Sequence, residues 1–93
     1  MGHTLIVIPT FNERDNIKPL LEKIFSLKTL MDVLILDDNS PDDTKKIVLE
    51  CKKKYNARLN LIIREKKQGL GKAYIEGFSW ALRKKYKKII QMD

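Results

Sequence analysis

Val33-Leu34-Ile35-Leu36-Asp37-Asp38-Asn39-Ser40-Pro41-Asp42-Asp43-Thr44 decides the fold. Four consecutive apolar residues, too few for a helix, run into a pair of carboxylates and then into residues that begin helices. Val33–Asp37 therefore reads as a strand buried on both faces. Ser40 suits a helix cap, Pro41 the first helical position, and Asp42 and Asp43 the positive helix end. Beyond them Thr44, Ile47, Val48, Cys51 and Tyr55 recur at helical spacing.

The same alternation extends both ways from this stretch. Upstream, Thr4–Ile8 is a β-branched, mostly apolar run ended by Pro9, and Ile17, Leu20, Leu21 and Ile24 form a helical stripe. Pro19 fits that helix if it starts near Asp15 or Asn16, because amides of the first turn have no partner. Downstream, Leu59–Ile63 and Lys88–Met92 read as strands. Leu70, Ala73, Tyr74, Gly77, Phe78, Ala81 and Leu82 form a third helical stripe between them. Buried strands alternating with amphipathic helices predict an α/β chain, βαβαβαβ. Its parallel sheet is covered on both faces, with right-handed crossovers. No repeat or low-complexity linker interrupts the pattern.

The 93 residues make one domain at most, or part of one. No apolar run approaches the ~18 residues of a membrane span, and no signal peptide is evident. Cys51 is the single cysteine, which excludes an internal disulfide and, with His3 as the one histidine, a zinc cluster; a reducing, cytoplasmic setting fits. Charge is uneven: net −4 over residues 1–44 and +11 over residues 45–93. A basic half suits nucleic acid, an anionic membrane surface or a phosphorylated substrate, and equally a solvated lysine-rich helix surface.

In an open α/β sheet, ligands bind at the carboxyl ends of the strands. Those ends carry Pro9-Thr10-Phe11-Asn12-Glu13, Asp37 to Asp43, Arg64 to Lys72, and Asp93. Carboxylates, cations and glycines gathered on one edge suit a nucleotide with a divalent metal. Singly, each element is ambiguous. Asp37-Asp38 with Ser40 also describes a strand end and a cap. Glu13 could simply favour a helix dipole. Gly69-Leu70-Gly71 is not a dinucleotide fingerprint, since Tyr74 stands where a third glycine belongs, and it is not a Walker loop. Cys51, Trp80 and Tyr86 read as packing residues, and His3 as solvent-facing.

In combination the motifs are specific. Ile8-Pro9-Thr10-Phe11-Asn12-Glu13, Leu36-Asp37-Asp38-Asn39-Ser40-Pro41-Asp42-Asp43-Thr44, Lys67-Gln68-Gly69-Leu70-Gly71-Lys72-Ala73-Tyr74 with Gly77-Phe78, and Gln91-Met92-Asp93 resemble family 2 glycosyltransferases. Within that family the chain resembles the polyprenol- or dolichol-phosphate mannosyltransferases. The resemblance implies a Rossmann-like nucleotide-diphospho-sugar transferase (GT-A) fold, with residues 1–93 as its N-terminal nucleotide-binding part, truncated after strand four. It also implies sheet order 3-2-1-4. The implied reaction is transfer of mannose from GDP-mannose to a polyprenyl (dolichyl) phosphate, with inversion at the sugar carbon and Mg2+ or Mn2+ as cofactor. By motif position, Pro9, Phe11, Glu13, Leu36 and Asp38 are implied to lie against the nucleotide sugar. Asp93 is implied as the catalytic, metal-binding first acid of an Asp-x-Asp pair whose second acid is absent. Lys66, Lys67 and Lys72 are candidates for the phosphate side.

Three rival readings share part of this pattern. The first lies in the same fold class: another sugar-nucleotide transferase, such as one moving glucose from UDP-glucose to the same lipid. A signalling receiver domain carries its acidic pair after strand one, whereas here it follows strand two. A nucleic-acid-binding module is suggested by Arg83, Lys84, Lys85, Lys87 and Lys88, but Tyr86 alone interleaves them and no reader motif is present; nucleic acid is not an expected partner. The lysines of that cluster are instead expected to place the enzyme peripherally on the cytoplasmic face of an anionic membrane. An exposed fourth strand is expected to favour self-association and to leave this piece silent as a transferase.

Overall fold

The computed structural model describes residues 3–28, 30–65 and 70–92. Four strands and three α-helices alternate: β1 (Thr4–Thr10), α1 (Ile17–Phe25), β2 (Met31–Asp37), α2 (Thr44–Tyr55), β3 (Leu59–Ile63), α3 (Leu70–Arg83) and β4 (Lys88–Gln91), with a 3-10 turn at Asn56–Arg58 before β3. All pairings are parallel and the order is β3-β2-β1-β4, as the sequence predicts.

Both sheet faces are apolar, which is why β1 and β2 read as continuous hydrophobic runs. Ile6, Ile8, Val33, Ile35 and Leu59 pack with Ile17, Leu21 and Ile24 of α1 and with Val48 and Cys51 of α2. Leu5, Val7, Leu34 and Leu36 pack with Ala73 and Ala81 of α3 and with Tyr86. Small residues let α3 lie close to the sheet. A Cβ on Gly77 would stand 2.7 Å from Val7 Cγ1 and 3.2 Å from Leu36 Cδ1.

Three boundaries differ from expectation. Pro9 does not end β1, which pairs with β2 as far as Thr10↔Asp37. Val7 O accepts from the Met92 amide on the β4 side, and Thr10 O from the Asp38 amide on the β2 side. Successive residues alternate sides, so the missing Pro9 N–H faces the β4 side and the β1–β2 ladder loses no bond. Second, α2 begins at Thr44, not at Pro41 behind a Ser40 cap, because the amide and hydroxyl of Ser40 are both taken by Asp37. Third, Leu82 lies outside the packed stripe of α3. It is 69% exposed, and the buried line runs Ala73-Gly77-Ala81. The first helix matches its prediction: Asn16 precedes it and Pro19 falls in its first turn.

Candidate functional site: the carboxyl edge of the sheet

Two loops meet where β1 and β2 end. Asp37 is fully buried, and its carboxylate accepts from the Thr10 hydroxyl (2.7 Å), the Ser40 amide (2.8 Å) and the Ser40 hydroxyl (2.7 Å). The Ser40 hydroxyl in turn accepts from the Asn12 amide, and the Thr44 hydroxyl from the Glu13 amide, both at 2.9 Å. Asp42 accepts from the amide and hydroxyl of Thr44 and, at 3.3 Å, from the Arg14 amide. Partial desolvation pushes the Asp42 carboxyl up. The Thr44 bonds and the nearby Arg14 outweigh it, so the group sits below its ordinary value. Three successive amides of the β1–α1 loop are thus held by the β2–α2 loop. Asn12 (φ 55°) and Asn39 (φ 54°) supply the left-handed turns that both loops need.

Asp38 differs from its neighbour. Its amide is bound by Thr10 O, and its side chain, 10% exposed, faces the Arg64 guanidinium at 3.1 Å. Arg64 also reaches Glu76 of α3 at 3.1 Å. A cleft of about 70 Å3 opens on the α1 side of the sheet, lined by Ile8, Pro9, Thr10, Glu13, Asn16, Ile17 and Leu20; Asp38 touches its wall only through the backbone bond to Thr10 O. A larger groove of about 210 Å3 lies instead between α1 and α2, with Cys51 in its wall, away from the loop network. Burial raises the Cys51 thiol above its ordinary value, which leaves it a poor nucleophile.

The edge brings together Pro9 and Glu13, with Phe11 40% exposed on the same β1–α1 loop, while the Asp38 side chain turns to Arg64. Leu36 does not join them: its side chain is fully buried beneath α3, against the Gly77 position. Lys72 is exposed in the first turn of α3, where nothing lies within 4 Å of a Cβ built on Gly71. Lys66, Lys67 and Asp93 lie outside the described residues. Among the described residues no three His, Cys, Asp or Glu side chains are grouped to hold a metal. Asp37 is occupied by hydroxyls and an amide, and Asp38 faces a guanidinium.

Sequence reasoning missed the roles of Thr10, Ser40 and Thr44, and of Arg64. The one available signal was Arg64 itself, a cation directly abutting the apolar run of β3. The lysine-rich cluster 84–88 sits at the opposite pole. The amides of Lys87 and Lys88 bond to His3 O, and Lys88 pairs with Thr4 at the start of β1. No helix among the described residues is long and apolar enough to cross a membrane.

Comparison with known proteins gives this edge a context. The chain is 37% identical over 90 residues to a polyprenol monophosphomannose synthase of Mycolicibacterium smegmatis, covering 97% of the chain and 34% of that protein. It is 35% identical over 89 residues to an undecaprenyl-phosphate mannosyltransferase of Micrococcus luteus, covering 96% and 36%. The chain thus spans about a third of the length of these relatives. In three dimensions it superposes on a mannosyltransferase of Pyrobaculum calidifontis solved in complex with GDP-Man and Mn2+. The TM-score is 0.74 at 20% identity, over 85% of this chain and 24% of that one, a likeness of fold. The sequence profile of Glycosyl transferase family 2 matches residues 5–91, from the first strand to the end of the fourth, and the chain belongs to that family.

Proposed function

We propose that this chain is the nucleotide-binding part of a glycosyltransferase that moves mannose from GDP-mannose to a polyprenyl phosphate. The observation that carries the reading is Asp38. A carboxylate stands at the carboxyl end of β2, its amide bonded to Thr10 O at the end of the strand that leads into the Phe11–Glu13 loop, in a chain 37% identical to a polyprenol monophosphomannose synthase. Asp38 accepts N–H donors of the base, a geometry that a carboxylate suits well. Pro9, Phe11 and Glu13 form the wall against the nucleoside. Leu36 supports this wall from within the core instead of touching the ligand.

The phosphate side falls to the start of α3. Helix N-termini attract phosphate through unpaired amides and the dipole, and the space at Gly71 admits a close approach. Lys72 adds a cation there, and Lys66 and Lys67 are assigned to the same side. Asp93 is the residue proposed to hold a divalent cation, Mg2+ or Mn2+; when bound, such a cation offsets charge growing on a diphosphate leaving group. The acceptor phosphate is already anionic, so attack on the sugar carbon needs no strong base from this chain. The whole protein is placed at the cytoplasmic face of the membrane that holds its lipid acceptor.

The test is transfer by the full-length protein, with GDP-mannose, UDP-glucose and a polyprenyl phosphate. Mannosyl lipid is the expected product, and glucosyl transfer in its place would overturn the donor assignment. Asp38→Asn is expected to weaken GDP binding at least tenfold in protein that remains folded. Equal affinity would remove Asp38 from the site.

A further inference from the structure

Arg64 is the first residue after β3, and only 7% of it is exposed. Its amide donates to Asp37 O at 2.7 Å, which fixes its backbone to the end of β2. Its guanidinium lies between carboxylates from two different elements: Nη1 is 3.1 Å from Asp38 Oδ1, and Nε is 3.1 Å from Glu76 Oε2 on α3. The first of these contacts is close but badly aimed. Both Nη1 and Oδ1 are buried, and neither makes a well-formed hydrogen bond.

Stability does not account for a cation here. Burying a guanidinium carries a large desolvation cost, and an apolar side chain of similar length would cover the sheet edge without it. What the charge does control is the direction of Asp38. Arg64 lies against Oδ1, so the guanidinium biases which way the carboxylate turns. The planar fork of arginine can serve Asp38 and Glu76 at once, where the single ammonium of a lysine cannot hold the same geometry.

We propose that Arg64 is a positioning residue for nucleotide recognition: it fixes the Asp38 carboxylate toward the base, and Glu76 braces it from α3. The inference rests on the nucleotide reading above, and it adds the residue through which Asp38 acts. It also ties the base side of the site to the helix whose first turn faces phosphate. Ordering of the two halves then precedes binding instead of being imposed by the ligand, which lowers the entropic cost of association.

A double-mutant cycle on the full-length protein tests this, with GDP, UDP and ADP as probes and calorimetric titration as the readout. Arg64→Met is expected to weaken GDP binding at least tenfold in the native background and less than twofold in an Asp38→Asn background, because the carboxylate it positions is then gone. Arg64→Lys is expected to restore less than half of the lost affinity on a logarithmic scale. Glu76 is half exposed, so Glu76→Gln should fold like the parent; it is expected to lose about threefold, again only when Asp38 is present. That variant decides the question if Arg64→Met fails to fold. Equal losses with and without Asp38, or no loss in any variant, would overturn the positioning role while leaving nucleotide binding intact. A parent protein that binds none of the three nucleotides would overturn the nucleotide reading, and this inference with it.

Discussion

Two adjacent aspartates in one motif have opposite surroundings, and this separates their roles. Asp37 is fully buried and accepts three hydrogen bonds, all from groups that shape the two loops. Removing it strands the Thr10 hydroxyl and the Ser40 amide in the interior. Asp37→Ala is therefore expected to cost about 3 kcal/mol of stability, since each buried unsatisfied group costs about 1–3 kcal/mol. A domain of this size has only about 5–15 kcal/mol in total, so the loss will appear as a clear drop in the denaturation midpoint. Asp38, by contrast, bonds no loop hydroxyl in the described network, and its replacement by Asn is expected to show in ligand affinity. Urea titration and GDP titration of the two variants separate them; a stable Asp37→Ala protein would contradict the assignment. This distinction was not legible in the sequence, where Asp37-Asp38 reads equally as a strand end and as a ligand pair. Strand alternation turns the two carboxylates to opposite faces of the sheet, Asp37 toward Thr10 and Asp38 toward Arg64. Which one points at a hydroxyl depends on Thr10, 27 positions away.

The elements were legible where their pattern is continuous and were misjudged where a side chain from elsewhere intervenes. Buried β-branched runs and helical stripes fix the strands, the helices and their parallel order. The start of α2 was misplaced because Ser40 is claimed by Asp37, and the extent of β1 because Pro9 turns its missing amide away from β2. The end of α3 shows a further local device. Lys85 adopts φ 64°, the Tyr86 amide bonds to Ala81 O and the Lys85 amide to Leu82 O, the pattern of a Schellman cap. Tyr86 then stacks on Trp80 with ring centroids 6.1 Å apart and donates its hydroxyl to the buried Asp32 at 2.6 Å. A left-handed conformation costs a non-glycine residue about 1–2 kcal/mol. Lys85→Gly is thus expected to stabilise the protein by about 1 kcal/mol, less than the full strain because glycine loses more entropy on folding. A lower melting temperature for Lys85→Gly would show that the lysine side chain contributes more than its backbone strain costs. Gly77 predicts the opposite sign. Its Cβ would meet Val7 Cγ1, a stiff β-branched group in the sheet. Gly77→Ala is expected to cost about 1–2 kcal/mol after the gain in helix propensity. In a Val7→Ala background that cost should shrink; an unchanged cost would place the strain elsewhere.

At the scale of the molecule, the parallel sheet separates charge into two poles. The carboxyl ends of the strands hold the acidic loops and Arg64; the opposite end holds Lys84, Lys85, Lys87 and Lys88, all exposed. Six residue steps along β1, from the Lys88 partner Thr4 to the Asp37 partner Thr10, set the poles roughly 20 Å apart at about 3.3 Å per residue. That exceeds the Debye length of about 8 Å at physiological salt, so the lysines do not contribute to nucleotide affinity. Near an anionic bilayer, however, each adds about 1 kcal/mol. Replacing all four with Gln in the full-length protein is expected to leave GDP affinity within twofold of the parent. The same change is expected to reduce partitioning onto phosphatidylserine vesicles by roughly two to three orders of magnitude, following the same charge arithmetic. Binding to neutral vesicles should not change. Those results together would assign the poles separate work, one at the membrane surface and the other at the nucleotide. Equal binding of parent and variant to anionic vesicles would reduce the cluster to a solvated helix end. A fall in GDP affinity would mean that the poles are coupled through α3, which runs between them.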